Sequence, residues 1–322
     1  MPRPLRRSVA LTLLAALATA CGTTSTAPAP ETGATGGVDP TTFAAQVPSG
    51  DLYIGAPQRI SIGIFRSTDQ AGVELVTSGT VDVTLAPFEG GAGTAVSGSA
   101  RYVPAPGTNG DASGTPLLTA PDVARGVYQL EDVTFDAAGI WQADVRFSIQ
   151  GQTLTLSTQF PVNERPALPA PGDRALATEN LTADSKGVDL SSVDSRAMDG
   201  APLPDPELHQ DTIAGALKAH RPILVLFATP VYCQSQFCVP TTGALQSLAA
   251  NGPPDAAYIH VEIWHDYQAS SVNEGAADWL LRNGGMTEPW LFLIDRRGVI
   301  VDRWTPVFDV SQVADGLARV AG

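Results

Sequence analysis

Ile223-Leu224-Val225-Leu226-Phe227-Ala228-Thr229-Pro230-Val231-Tyr232-Cys233-Gln234-Ser235-Gln236-Phe237-Cys238 decides how the second half of the chain is read. An unbroken apolar run over 223–227 is the pattern of a strand covered on both faces, as in the middle of an α/β sheet. Two cysteines follow it almost at once, and α/β sheets gather their sites beyond the carboxyl ends of strands. Pro240 refines the local reading. Proline fits the first turn of a helix and disfavours helical geometry in the residue before it, so a helix beginning near Pro240 leaves both cysteines at or ahead of its start. Were 233–238 wholly helical, the two side chains would stand about 140° apart around the axis. The expectation is a loop in which Cys233 and Cys238 form a reversible disulfide.

Outward from this stretch the pattern stays α/β. Ile213 and Leu217 mark a short amphipathic helix before the strand, and Leu245 and Leu248 mark one after the cysteines. A strand over 258–263, a helix with Trp279 and Leu280, and a strand over 291–294 come next. The turn Asp295-Arg296-Arg297-Gly298 leads to a strand over 299–301, and Val310, Val313, Leu317 and Val320 line one face of a closing helix.

On these residues the chain from Asp205 to Gly322 resembles the thioredoxin-like superfamily. The resemblance is carried by the buried strand running into a cysteine-bearing loop, by Glu288-Pro289-Trp290 before the next-to-last strand, and by the closing hairpin 292–300. It implies a thioredoxin-like α/β domain in which Pro289 is a cis-proline facing the thiols and Glu288 lies beside them, as a substitute proton acceptor or as a solvated rim carboxylate. The departures are specific. Four residues separate the cysteines where thioredoxins have Cys-Gly-Pro-Cys, and Leu226 stands where the family has a buried acid. Two registers stay open: Cys233 as nucleophile with Cys238 resolving, or Cys238-Val239-Pro240-Thr241 aligned with Cys-Gly-Pro-Cys and Cys238 as nucleophile. Phe227-Ala228-Thr229-Pro230, Cys233-Gln234-Ser235 and Thr287-Glu288-Pro289-Trp290 are also similar to bacterial thioredoxin-domain lipoproteins.

The first half reads differently. From about 46 to 163, Ile60, Ile62 and Ile64 share one face, Val81, Val83 and Leu85 another, and Trp141 to Ile149 alternate strictly. Gln150-Gly151 is a two-residue hairpin signal. This pattern predicts an immunoglobulin-like β-sandwich, which serves as a partner-binding module or as a spacer. It looks broadly like small periplasmic sandwiches that include copper-binding modules, but every histidine (209, 220, 260, 265) lies beyond it. Residues 164–204, rich in Pro, Ala, Asp and Ser, read as a linker. His260 and His265 read as packing or surface residues, Trp264, Trp279, Trp290 and Trp304 as core or groove walls, and neither a metal site nor a cofactor is expected.

At the other end, Arg3, Arg6 and Arg7 precede an apolar run from Val9 to Ala20 that is too short to span a bilayer. Ala18-Thr19-Ala20-Cys21 resembles a bacterial lipobox, with Ala18 where Leu is usual. Residues 1–20 are thus expected to be a lipoprotein signal peptide, Cys21 a lipidated first residue, and 21–45 a flexible tether. The third cysteine is then accounted for, and the remaining two are left as a pair in an oxidising compartment.

Composition sets outer bounds. With 19 Lys+Arg against 33 Asp+Glu, the chain carries a formal charge of −14, and loss of residues 1–20 would make it three units more negative. Such a surface excludes a phosphate-tracking nucleic-acid binder. The expected partners are thiol- or disulfide-bearing exported proteins and, through the lipid, a membrane at the bacterial cell envelope. The leading expectation is therefore an extracytoplasmic thiol–disulfide oxidoreductase. Two alternatives stand beside it. One is a lipid-anchored binding protein with a structural disulfide. The other is a peroxiredoxin-like thiol peroxidase, suggested by Thr229-Pro230 before Cys-x4-Cys but lacking that family's upstream proline and activating arginine.

Overall fold

Alternating apolar and polar side chains build the first half. In the computed structural model, which describes residues 38–69, 72–108, 110–233, 235, 237–281 and 286–322, nine strands form one antiparallel sheet. They are β1 (Phe43–Gln46), β2 (Gln58–Ser67), β3 (Val73–Thr77), β4 (Thr80–Pro87), β5 (Val96–Pro104), β6 (Leu117–Thr119), β7 (Gly126–Val133), β8 (Gly139–Ile149) and β9 (Gln152–Val162). The order is β6-β3-β2-β7-β5-β4-β8-β9, with β1 on β2. Ile60, Val83, Trp141 and Phe160 from separate strands meet in one core, an arrangement compatible with a sandwich. Gln150 and Gly151 both have positive φ, 49° and 79°, so they form the primed turn whose twist matches the β8–β9 hairpin.

The expected signal segment 1–20, the lipidation site Cys21 and the tether up to residue 37 lie outside the described residues. The end of that tether is structured: Phe43 and Ala45 are buried and β1 pairs with β2, because their alternation continues the sheet pattern upstream of residue 46. Among the described residues no helix is long and apolar enough to cross a membrane.

The second half contains α1 (Ile213–Lys218), β10 (Ile223–Ala228), α2 (Cys238–Asn251), β11 (Ala257–Glu262), β12 (Trp264–Asp266), β13 (Ser271–Val272), α3 (Glu274–Leu280), β14 (Trp290–Ile294), β15 (Ile300–Trp304) and α4 (Val310–Ala321). Strands β11-β10-β14-β15 form a four-stranded sheet, with β10 parallel to β11 and antiparallel to β14. Every residue of β10 is buried, because one face packs on Trp279 and its neighbours and the other on α2 and α4. Thr212 caps α1 by accepting from the Gly215 amide at 2.9 Å, and Asp309 caps α4 through the Ser311 amide. Gly298, at φ 75°, closes the β14–β15 turn in a conformation that glycine adopts without strain. The molecule as a whole is mostly β, with a large multi-strand sheet and few helices.

The stretch 164–204 differs from its reading as a linker. Its backbone extends the second sheet: the Gly172 amide donates to Ile300 O, the Ile300 amide to Asp173 O, and the Ala175 amide to Gly298 O, each at 2.9 Å. Farther on, Asp189 and Asp194 cap short 3-10 turns, and Ser192, Asp194, Ser195 and Ala197 are buried. Caps and isolated buried small residues leave no periodic trace in a sequence, which is why the stretch looks like a connection.

The two sheets also pack on each other, within one compact unit. Arg303 reaches Asp51 at 2.8 Å, and Arg59 binds Asp302 at 2.6 Å and Glu131 at 3.1 Å. Arg101 pairs with Asp309 at 3.1 Å. Val103, Ala105 and Val127 of the first half close over Val307, with Phe237 against them. The loop carrying the cysteines is therefore bordered by the first sheet.

Candidate active site

The backbone of β10 delivers Thr229 and Pro230 to the carboxyl end of the second sheet, and the chain then turns before α2 begins at Cys238. Cys233 and Cys238 are joined in a disulfide, with Cα atoms 6.0 Å apart. Their side chains differ in exposure. Cys238 is fully buried against α2 and α4, whereas Cys233 is partly exposed. The Cys233 sulfur accepts the Cys238 amide at 3.2 Å and lies 3.3 Å from the Ser235 hydroxyl. An N–H at the first turn of a helix has no intrahelical acceptor, so this donor is available to a sulfur that carries charge.

Glu288 completes the cluster. The Glu288–Pro289 bond is cis, and a carboxylate oxygen of Glu288 and the two sulfurs all lie within 4.8 Å of one another. Leu226 is buried in the middle of β10, so no acid approaches from that position. A carboxylate this close opposes a neighbouring thiolate by like-charge repulsion. In the reduced protein, Glu288→Gln should shift the rate of thiol alkylation toward lower pH. Coincident alkylation profiles for the two proteins would show that Glu288 does not act on the thiols.

A cleft opens beside Cys233. One wall comes from the first half, at Pro106, Thr108, Asp122 and Arg125, and the other from Pro230, Val239 and Pro240 near the cysteines. Tyr232 stacks on Tyr267 with ring centroids 4.0 Å apart, which ties the loop to the β12–β13 hairpin. Of the tryptophans, Trp279, Trp290 and Trp304 are buried and Trp264 packs at a core edge.

Behind the loop lies a polar group that sequence reasoning missed. Asp194, His209 and His260 are all fully buried, and Glu262 is buried beside them. Glu262 accepts the amides of Ser195 at 2.8 Å and Ile263 at 2.9 Å, while the Ser195 hydroxyl accepts the Val231 amide at 3.1 Å. Burial pushes the Glu262 carboxyl above its ordinary range, against the pull of His260 and Ser195. Burial also raises Asp194, but contacts from His209, His260 and Arg196 outweigh it and hold that carboxyl far below the usual range. Burial lowers His209 below the ordinary imidazole value despite Asp194. Only His260 carries a usable signal, a histidine inside an otherwise apolar strand, and the pattern alone gives it a packing or surface role. Asp194 lies in the stretch read as a linker, and His209 precedes the first clear helix.

No protein-family model matches the chain, and neither a curated protein nor a solved structure does.

Proposed function

We propose that the chain is an extracytoplasmic thiol–disulfide oxidoreductase that works through Cys233 and Cys238, within a thioredoxin-like domain over 205–322 that is preceded by an immunoglobulin-like sandwich over 46–163. The observation that carries this reading is the asymmetry of the pair. Cys233 is partly exposed beside a cleft and receives the first amide of α2, while its partner Cys238 is fully buried. That asymmetry suits Cys233 as the attacking thiolate and Cys238 as the resolving thiol.

In the reduced protein the Cys233 thiolate attacks one sulfur of a substrate disulfide. The substrate S–S bond breaks, a mixed disulfide forms, and the departing substrate sulfur takes up a proton. Cys238, losing its proton, then attacks the Cys233 sulfur. The mixed disulfide breaks, the second substrate thiol leaves, and the Cys233–Cys238 bond is restored. The substrate gains two electrons and the protein loses two, and the reverse sequence oxidises a dithiol. The cleft between Arg125 and Val239 offers the first sheet as a wall for the substrate chain. Lipidation at Cys21 would hold the protein at the membrane of the cell envelope, where exported proteins carry such cysteines.

The test is equilibration of the protein in glutathione buffers of graded potential, with the free thiols counted by alkylation and mass spectrometry. A single two-electron transition confined to Cys233 and Cys238 is expected. A pair that stays oxidised in millimolar dithiothreitol while the protein remains folded would identify a structural disulfide and overturn the proposal.

A further inference from the structure

We propose that Asp194, His209 and His260 form a binding site for one divalent transition-metal cation, of which zinc is the type. The inference stands apart from the redox reading and rests on the convergence of three fully buried ligand side chains. The His260 Nε2 lies 3.2 Å from the carbonyl oxygen of Ala228, and its Nδ1 lies 3.3 Å from Asp194 Oδ2. Both neighbours are acceptors. With Nε2 turned to Ala228 O, Nδ1 and Asp194 Oδ2 meet through a shared proton or, as proposed here, through a shared cation.

His209 supplies the third donor. Its Nε2 lies 3.4 Å from the same Asp194 Oδ2, and among the described residues its buried Nδ1 has no hydrogen-bond partner. Buried polar atoms are nearly always satisfied, and two imidazole nitrogens converging on one buried carboxylate oxygen point to a shared ligand. The spacing fits a cation. Zinc with donors at about 2.0–2.1 Å in tetrahedral geometry sets those donors about 3.3–3.4 Å apart, close to both observed separations. One donor atom from each of the three residues falls within 4.8 Å of the others.

The surroundings match what metal ligands need. A backbone carbonyl orients His260, and Arg196 fixes the Asp194 carboxylate through its amide and side chain at 2.7–3.0 Å. The Arg196 Nη2 contact uses one lone pair of Oδ2 and leaves the other toward the imidazoles. Two imidazoles and a carboxylate suit zinc and its neighbours over calcium or magnesium, which prefer oxygen. Asp194 comes from a 3-10 turn, His209 from the turn Pro206–His209 and His260 from β11. A bound cation would therefore pin three separate segments beneath the strand end that leads to the cysteines.

The experiment exposes the full chain, with its disulfide kept oxidised, to zinc chloride or cobalt chloride, followed by desalting and elemental analysis. One retained ion per chain is expected, together with a rise in melting temperature on adding zinc. The cobalt form should show visible bands of a four-coordinate nitrogen–oxygen site and no sulfur-to-metal charge-transfer band. Because loss of a ligand's supporting partner typically costs about 10–100-fold in metal affinity, His209→Gln and His260→Gln should each weaken binding at least ~100-fold, with His265→Gln as the unaffected control. The proposal is overturned if the wild-type protein retains no ion, if a sulfur charge-transfer band appears, or if both folded histidine variants bind as the wild type does.

Discussion

Cys233→Ser is expected to abolish disulfide exchange, lowering the rate by roughly three orders of magnitude or more toward the uncatalysed level, whereas Cys238→Ser should leave a protein that attacks but cannot finish. The difference follows from exposure. In Cys238→Ser the remaining thiolate is partly exposed beside the cleft and still receives the amide of residue 238, a backbone donor that the substitution does not remove. It would form mixed disulfides that persist for want of a resolving sulfur, and substrates should accumulate as covalent adducts. In Cys233→Ser the remaining sulfur is buried against α2 and α4, so it should neither trap partners nor react with iodoacetamide in the folded protein. Non-reducing electrophoresis after incubation with a reporter disulfide protein reads both results. Adducts on Cys233→Ser alone would reverse the roles and favour the register in which Cys238 attacks. Adducts on neither variant would leave the disulfide a structural one.

The parts of the molecule that were legible in the sequence are those governed by local rules. The unbroken run 223–227 lies in an inner strand of its sheet, since an apolar residue at every position can be satisfied only by burial on both faces. The alternation over β8 and β9 and the Gln150-Gly151 turn became a hairpin in full register. Pro240 placed the start of α2, and the cysteines meet because Cys233 is kept out of the helix. Each of these features is specified by residues within a few positions of it.

What was illegible depends on partners far apart in the chain. Asp51 lies 252 positions from Arg303, and nothing near either residue marks it as half of a pair. Asp194 is one of several acids in a polar stretch, and its distinction is the burial imposed by β11 and the turn at His209. The amphipathic helices could be read from one face alone, but the seam between the sheets is built of single side chains such as Gln129, whose amide donates to Val307 O at 3.0 Å. Residues 164–204 look like a linker for the same reason. Their contribution is made by backbone amides and capping carboxylates, which have no hydrophobic period.

That seam is where the largest loss of stability should be found. Asp51 is almost wholly buried, and it accepts three donors: Arg303 Nη1 at 2.8 Å, the Ala167 amide at 2.8 Å and the Leu168 amide at 3.0 Å. Arg303 donates in turn to Asp51 O at 3.0 Å and Pro169 O at 3.1 Å, and its guanidinium lies over Tyr53 and Trp290 at 5.4 and 5.1 Å from the ring centroids. One ion pair thus joins the segment before β2, the 164–204 stretch and β15. Deleting one member of such a pair strands the other charge in a dry site. Asp51→Ala should therefore destabilise the protein by about 3–5 kcal/mol, read from the urea midpoint at constant slope. Replacing both members, Asp51→Ala with Arg303→Met, removes the stranded charge and keeps an unbranched side chain over Trp290. It should cost less than Asp51→Ala alone, giving a coupling energy on the order of 1–3 kcal/mol in the double-mutant cycle. By contrast, removing either member of the exposed pair between Arg296 and Asp255 should leave the urea midpoint almost unchanged. If Asp51→Ala costs no more than Asp255→Ala, the two sheets are held by their apolar contacts at Val103, Val127 and Val307 alone, and the buried pair serves only to set their register.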